Sequence, residues 1–310
     1  MGRSVLVTDR HSGTQIEASP DARTAFRLNS EIAARLEEVA DMLAAQHANP
    51  YRVESYRRAA RTIREYPEAV AELAAKRGVE GLIELPGVGE RLAQATYQLT
   101  TTGRLPMLER LRGESDPVEL LAGVVGIGLK TAQRIHDELG IDTLEELEIA
   151  AHDGRLAGLG IGQKRVGGIR DALAGRLGRA GRRPTLEGAP FPDVAEILDV
   201  DREYRQRAEA LPKIAPRRFN PSHDAWLPVL HTRRGERQFT ALFSNTARAH
   251  EFGRTRDWVV LYCDGQSGER QCTVITATRG PLSGRRIVRG REDECLRYYA
   301  DAAETAPHAH

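Results

Sequence analysis

Three stretches of this 310-residue chain share an arrangement that could bind an anion. LPGVGERLAQA starts at Leu85, VVGIGLKTAQR at Val124 and GLGIGQKRVGG at Gly158. Each holds a Gly-aliphatic-Gly turn with a basic residue two positions after the second glycine. The sets are Gly87, Val88, Gly89 with Arg91; Gly126, Ile127, Gly128 with Lys130; and Gly160, Ile161, Gly162 with Lys164. Glycine admits positive φ and lets another backbone approach closely. A helix that begins just after such a turn presents unpaired N–H groups and the positive end of its dipole. Together these make an anion site, and the basic side chain adds a charge-assisted contact. The aliphatic residue between the glycines can anchor the turn to a core. A single copy reads equally well as a tight interhelical turn, but three copies with the cation in register favour binding.

These turns need helices on both sides, and the flanking sequence supplies them. Ile32, Leu36, Val39 and Leu43 recur with helical period behind the cap candidates Asn29 and Ser30. Pro50 suits the first turn of a helix running to about Tyr66. Residues 69–76 read as a helix closed by Gly78, and Ala132, Ile135 and Leu139 share one face ahead of Gly140. Residues 29–178 are thus expected to be all helical, and the turns to be helix-hairpin-helix elements. Such elements meet the phosphate backbone and carry no base readout.

Charge is distributed unevenly. Residues 31–150 hold 14 Lys and Arg against 21 Asp and Glu, a net of −7, whereas residues 211–300 hold 16 against 9, a net of +7. Any DNA grip in the acidic stretch must be local and built partly from backbone amides. No apolar run approaches the roughly 18 residues of a spanning helix, so no membrane partner is expected. Three cysteines, Cys263, Cys272 and Cys295, are too few for a disulfide framework and point to a reducing cytoplasm. Residues 1–28 lack a signal-peptide core and read as a mobile tail.

In order, spacing and motif, residues 29–178 resemble the N-terminal half of family X DNA polymerases, a lyase-type helical domain followed by the fingers. The phrases that carry this are NSEIAARLEEVADML, NPYRVESYRRAARTI, LIELPGVGERLA, TTGRLPMLERL, LAGVVGIGLKTAQRIHDELGIDTLEELE and DGRLAGLGIGQKR. The resemblance implies a lyase-type domain at 29–112 and a fingers-like domain at 113–178. It allows a monovalent cation at the hairpins, and no other cofactor is assigned. The palm that would follow needs a Gly-Ser element and paired aspartates. No such Gly-Ser element follows residue 178, and Asp199-Val200-Asp201 reads as a loop leading into a helix. The family's Schiff-base lysine, six residues beyond the second glycine of the first hairpin, is Ala95 here. Its 5′-phosphate pocket is kept in altered form: Arg52 stands where lysine is common, Tyr56 matches an aromatic hydroxyl, and Arg91 replaces another lysine. Arginine grips phosphate but cannot serve as the amine nucleophile. Lys76, the only lysine between 29 and 129, reads as a solvated surface residue.

Residues 179–192 are rich in Gly, Arg and Pro and read as a linker. Beyond them, residues 193–310 read as a small α+β domain of mostly antiparallel strands, giving an α+β chain overall. Strands are expected at 226–231, 238–243, 257–263, 272–278 and 286–289, with a short helix over 246–252 capped by Ser244 and a closing helix over 293–300. His231, His250 and the cysteines lack zinc-ligand spacing, so no metal site is assigned. Ser244, His250 and Asp257 form a hydrolase-like triplet without a nucleophile elbow, and no catalytic residue is assigned. The basic groups Lys213, Arg217, Arg218 and Arg285, Arg286, Arg289, Arg291 read either as solvated surface or as a second nucleic-acid contact.

The sequence therefore reads as a cytoplasmic, non-sequence-specific DNA-binding protein of repair or genome maintenance. It should favour gapped or nicked DNA with a 5′-phosphate and lack polymerase and lyase activity. The alternative is a nuclease or phosphodiesterase with its active site in the C-terminal domain. A third reading gives residues 193–310 a repair-protein partner.

Overall fold

The structure is a computed structural model that describes residues 20–177, 191–265 and 268–305. Among these, residues 20–44 with 49–108 form one compact unit, and residues 45–48 with 109–305 form another.

The first unit is helical: α1 (Pro20–Ala45), α2 (Pro50–Glu65), α3 (Val70–Ile83) and α4 (Glu90–Thr102), followed by the start of α5 (Pro106–Arg112). Helix α2 opens as its sequence dictates. Asn49 Oδ1 accepts from Tyr51 N at 2.9 Å, and Pro50 takes the first turn, where its missing N–H costs nothing. Gly78, with φ of 64°, breaks the helical path inside α3, and Gly103, with φ of 71°, closes α4. Helix α1 departs from expectation. It begins at Pro20, so residues 20–28 of the expected tail are helical, and residues 1–19 lie outside the described residues. Asn29 is no cap: it sits inside α1, fully buried. Its Nδ2 donates to the carbonyls of Tyr66 and Glu68 at 3.1 and 2.7 Å, and its Oδ1 accepts from Val70 N at 2.8 Å. One buried amide thus satisfies three backbone groups of the α2–α3 turn, which explains a polar residue on an apolar face.

The second unit carries α6 (Pro117–Ala122), α7 (Leu129–Leu139), α8 (Leu144–Asp153), α9 (Arg155–Gly158) and α10 (Gln163–Leu177). After the expected linker, most of which falls outside the described residues, come α11 (Val194–Arg207), β1 (Lys213–Ile214), β2 (Leu227–Arg234) and β3 (Arg237–Phe243). Then follow α12 (Ala247–Glu251), β4 (Val259–Gly265), β5 (Gly268–Thr276), β6 (Arg286–Val288) and α13 (Glu292–Thr305). Among the described residues, six strands form one antiparallel sheet in chain order, consistent with the expected α+β arrangement. Thr246, not Ser244, caps α12, its hydroxyl accepting from Ala249 N at 3.2 Å. Asp199 and Asp201 lie within α11 instead of ahead of it, because Asp193 is the cap and Asp201 falls on the buried face with Ile197 and Tyr204.

The sheet is buried on both faces, for different reasons. Val259, Leu261, Cys263, Val274 and Val288 join Ile197, Val200 and Tyr204 of α11 in an apolar core. The opposite face meets the hairpin tandem and α5 through polar groups, and the tandem also holds α12. Thr273 Oγ1 donates to Glu145 Oε1 at 2.5 Å, Asp142 Oδ2 accepts from Ala247 N at 2.8 Å, and Arg110 Nη1 donates to Glu269 Oε2 at 2.8 Å while stacking over Tyr262 at 3.7 Å. Burial pushes the Tyr262 hydroxyl up to about 12, against the pull of Arg110. His231 is fixed between Thr240 Oγ1, at 3.1 Å, and Gln46 Oε1, at 2.9 Å. The sequence reading puts the fingers-like segment and the α+β segment in separate domains. Here both belong to one packed unit, because these buried polar links require close fit.

Candidate nucleic-acid interface

The three Gly-x-Gly turns fold alike. Gly87, Gly126 and Gly160 have φ of 76°, 91° and 76°, the left-handed region that only glycine enters freely. The aliphatic residue behind each is buried: Val88 at 3%, Ile127 at 4% and Ile161 at 6% exposure. All six glycines are exposed. The anchors are set by backbone bonds, Val88 N to Leu85 O at 3.0 Å, Ile127 N to Val124 O at 2.9 Å and Ile161 N to Leu156 O at 3.3 Å. Gly89 and Gly128 are the N-caps of α4 and α7, and neither helix has a side-chain cap. No atom lies within 4 Å of the place a Cβ would take on Gly89, Gly128, Gly160 or Gly162. Each turn is therefore held from below by one apolar side chain, and its second glycine is open to an approaching backbone.

Arg91, Lys130 and Lys164 are exposed on the first turns of α4, α7 and α10. Their surroundings differ. Glu90 is exposed beside Arg91 and places a negative charge at the same helix start. Leu129, at 62% exposure, holds the same place at the second hairpin and Gln163 at the third. Arg165 Nε donates to Gly126 O at 2.7 Å, so the third hairpin's helix braces the second turn. Sequence reasoning missed that brace, which spans 39 residues, and it also missed Arg58. Arg58 is exposed on α2 and lies so close to Gly87 that a Cβ there would come within 2.6 Å of its Cδ. It is a cation at the first turn that no motif marks.

The 5′-phosphate residues do not share one setting. Arg52 and Tyr56, one turn apart on α2, are both buried against Met107: Nη2 lies 3.6 Å and the hydroxyl 3.2 Å from its sulfur. Arg91 is exposed on α4. Ala95 is half-buried one turn further along α4. Lys76 is exposed and bonded to Glu72 at 3.0 Å, which holds its amine above the usual lysine value.

In the second unit the hydrolase-like triplet is not assembled. Ser244 Oγ pairs with Thr246, His250 Nε2 with Asn245 Oδ1 at 2.7 Å, and Asp257 Oδ1 with Thr276 and Arg286. All three cysteines are buried and free, and burial pushes the Cys263 thiol up to about 12. Among the described residues no group of three or more His, Cys, Asp or Glu is placed to hold a metal ion. The 285–291 basic group is mostly consumed by structure. Arg286 binds Asp201 and Asp257, Arg291 binds Glu294 and Pro192 O, and Arg285 and Arg289 stack over Tyr299 and Trp258. No described helix is long and apolar enough to cross a membrane.

Comparison with known proteins agrees with this geometry. Residues 27–105 match the family described as a helix-hairpin-helix domain, and residues 118–174 match a SAM-like helix-hairpin-helix tandem. Over 173 residues, 55% of this chain, the sequence is 26% identical to the DNA polymerase/3'-5' exonuclease PolX of Bacillus subtilis (strain 168), covering 28% of that protein. Over 135 residues, 44% of this chain, it is 25% identical to DNA polymerase lambda of Rattus norvegicus, covering 22% of that protein. The chain thus spans about a quarter of the length of these curated relatives. Its N-terminal half is a polymerase-X-like helix-hairpin-helix region.

Proposed function

We propose that this is a non-sequence-specific DNA-binding protein of repair that prefers gapped or nicked DNA carrying a 5′-phosphate. The observation that carries the reading is the threefold repeat of an open glycine turn, an uncapped or exposed helix start and a nearby cation. Each can bring amides and one charge to a phosphate, and none presents groups aimed at base edges. A monovalent cation at the hairpins belongs to the same reading, with the turn carbonyls as its ligands. At the second hairpin it would share the Gly126 carbonyl with Arg165.

The 5′-phosphate preference is tested by fluorescence anisotropy with one gapped duplex ending in either a phosphate or a hydroxyl. The phosphorylated form is expected to bind more tightly. Arg52→Ala should erase that difference at a cost of about 1.5–3 kcal/mol, the worth of a hydrogen bond to a charged group. Because Arg52 is buried against Met107, its variant needs a melting curve beside the binding curve, and Arg91→Ala supplies an exposed counterpart. Equal affinity for both ends in the unaltered chain would remove the pocket from the reading.

The same reading gives the first hairpin a grip without lyase chemistry. A Schiff-base nucleophile must be an amine that is deprotonated near neutral pH. Lys76 is held charged by Glu72, and Ala95 has no amine. Borohydride is expected to trap no covalent adduct with incised abasic DNA above that of a control protein. Strong trapping that maps to Lys76 or to a lysine beyond residue 129 would overturn this.

A further inference from the structure

The second unit carries a surface that none of the hairpins uses. The loop 215–226 and α12 lie together. Phe219 stacks on His250, with ring centroids 4.5 Å apart, and Trp226 meets the same imidazole edge-on at 6.4 Å. Phe219 is 45% exposed, and Phe252, just past α12, is 56% exposed. Phe219 also has φ of 54°, a conformation that a bulky side chain avoids. The surroundings hold it there. Buried Asn220 exchanges two bonds with the Asp224 backbone, at 2.9 and 3.2 Å, and Asn245 Nδ2 donates to Arg218 O at 2.9 Å. Asn245 in turn fixes His250. The chain thus pays in backbone strain to keep an aromatic face turned outward, and such strain gathers at ligand clamps. Burial and Arg218 lower the His250 pKa, which keeps the ring neutral beneath Phe219.

Charge surrounds these rings. Arg218 and Arg248 lie over Phe219 and Phe252 at 5.0 and 5.7 Å, and each also approaches a carboxylate of the α7–α8 region, Asp142 at 3.6 Å and Glu146 at 3.5 Å. Arg217, Arg254 and Arg256 are exposed and form no ion pair among the described residues. Glu251 is the exposed carboxylate on α12 itself. Aromatic faces interleaved with unpaired arginines are the chemistry that binds single-stranded nucleic acid, with bases stacked on rings and phosphates drawn to the cations.

We propose that this face binds a single-stranded DNA segment, with bases stacked on Phe219 and Phe252 and phosphates at Arg217, Arg254 and Arg256. The proposal rests on the DNA-binding reading above and names what the second unit adds to it. Helix α7 connects the two sites: its first residues follow the second hairpin, and Asp142, just beyond its end, accepts from Ala247 N in the first turn of α12. Its 11 residues span about 16 Å, or about five phosphates of one strand. A duplex held at the hairpin would therefore place an unpaired strand from a gap or flap within reach of the aromatic face.

The test uses the full chain, labelled oligothymidylate and labelled duplex. Phe219→Gly removes the ring while relieving the positive φ, so it should fold at least as well as the unaltered chain. Together with Phe252→Ser it should weaken oligothymidylate binding about tenfold or more, the scale of a lost base–aromatic stack, and leave duplex binding unchanged. Lys130→Glu with Lys164→Glu should do the reverse. An oligomer carrying 5-iodouracil should photocrosslink within residues 215–226 or 247–252. Unchanged oligothymidylate affinity in the aromatic variant, or crosslinks confined to the hairpins, would overturn the proposal while leaving the hairpin reading intact. Tighter binding of oligouridylate than of oligothymidylate would overturn the assignment to DNA. If the unaltered chain binds duplex but no single strand, the proposal fails and a protein becomes the partner that fits the face. If it binds neither, the DNA-binding reading fails as well.

Discussion

Replacing Arg286 with methionine is expected to cost about 3–5 kcal/mol of stability, the scale for stranding buried charge by removing its partner. Arg286 closes a three-way link across the second unit. Its Nε and Nη2 reach both carboxylate oxygens of Asp201, at 3.0 and 2.6 Å, and its Nη1 donates to Asp257 Oδ1 at 2.7 Å and to Asp257 O at 2.8 Å. Asp201 is 1% exposed, so water cannot replace the guanidinium. Methionine fills much of the volume but leaves two carboxylates without a cation. For a unit of this size, each kcal/mol moves the melting temperature by about 2–4 °C, so a scan should register the change clearly. Adding Asp201→Asn and Asp257→Asn should recover a large part of the loss, because the stranded charge is then gone. A loss near zero in the single variant would show that water reaches Asp201 after all.

That triad also marks where sequence reading reaches its limit. The hairpins were legible because their geometry is local: two glycines, one apolar anchor and one helix start lie within about five residues, and their signals agree. The strands from β2 to β6 and their mostly antiparallel character were legible for a similar reason, apolar runs bounded by turn residues, but the order of strands across the sheet was not. Asp201 is different. Its place in the apolar period of α11, with Ile197 and Tyr204, was readable and should have signalled a buried charge in need of a partner. The partner, Arg286, lies 85 residues away among other arginines, and nothing in the sequence separates it from solvated neighbours. The same holds for Glu145 with Thr273, 128 residues apart, and Arg110 with Glu269, 159 apart. Of these pairs, Glu145–Thr273 joins the tandem directly to the sheet, although a Gly- and Arg-rich stretch between them reads as a linker. Phe219 was illegible for another reason: aromatic residues are ordinarily core, and only a backbone at positive φ turns this one outward.

The second large effect concerns the hairpins. Changing Arg91, Lys130 and Lys164 together to alanine should remove three phosphate contacts. Each contact releases about one counterion, so the slope of log affinity against log salt should become shallower by about 2.7, three times 0.9. At about 0.1 M salt this release alone corresponds to a loss of about 10²–10³ in affinity. The loss should be the same for any duplex sequence, since these cations stand beside glycine turns that offer amides to phosphates and nothing to base edges. Binding should not vanish, because the amides at the starts of α4 and α7 remain in the variant. The contributions should also be unequal. Arg91 works beside Glu90, whereas Lys130 and Lys164 have no carboxylate at the corresponding position, so Arg91→Ala alone should alter the slope least. Salt titrations of the three single variants and the triple variant against one duplex and its scrambled counterpart measure all of this. A slope unchanged in the triple variant would mean that the cations do not touch phosphate. A strong preference for one duplex over the scrambled one would mean that the chain reads bases, which no turn described above is built to do.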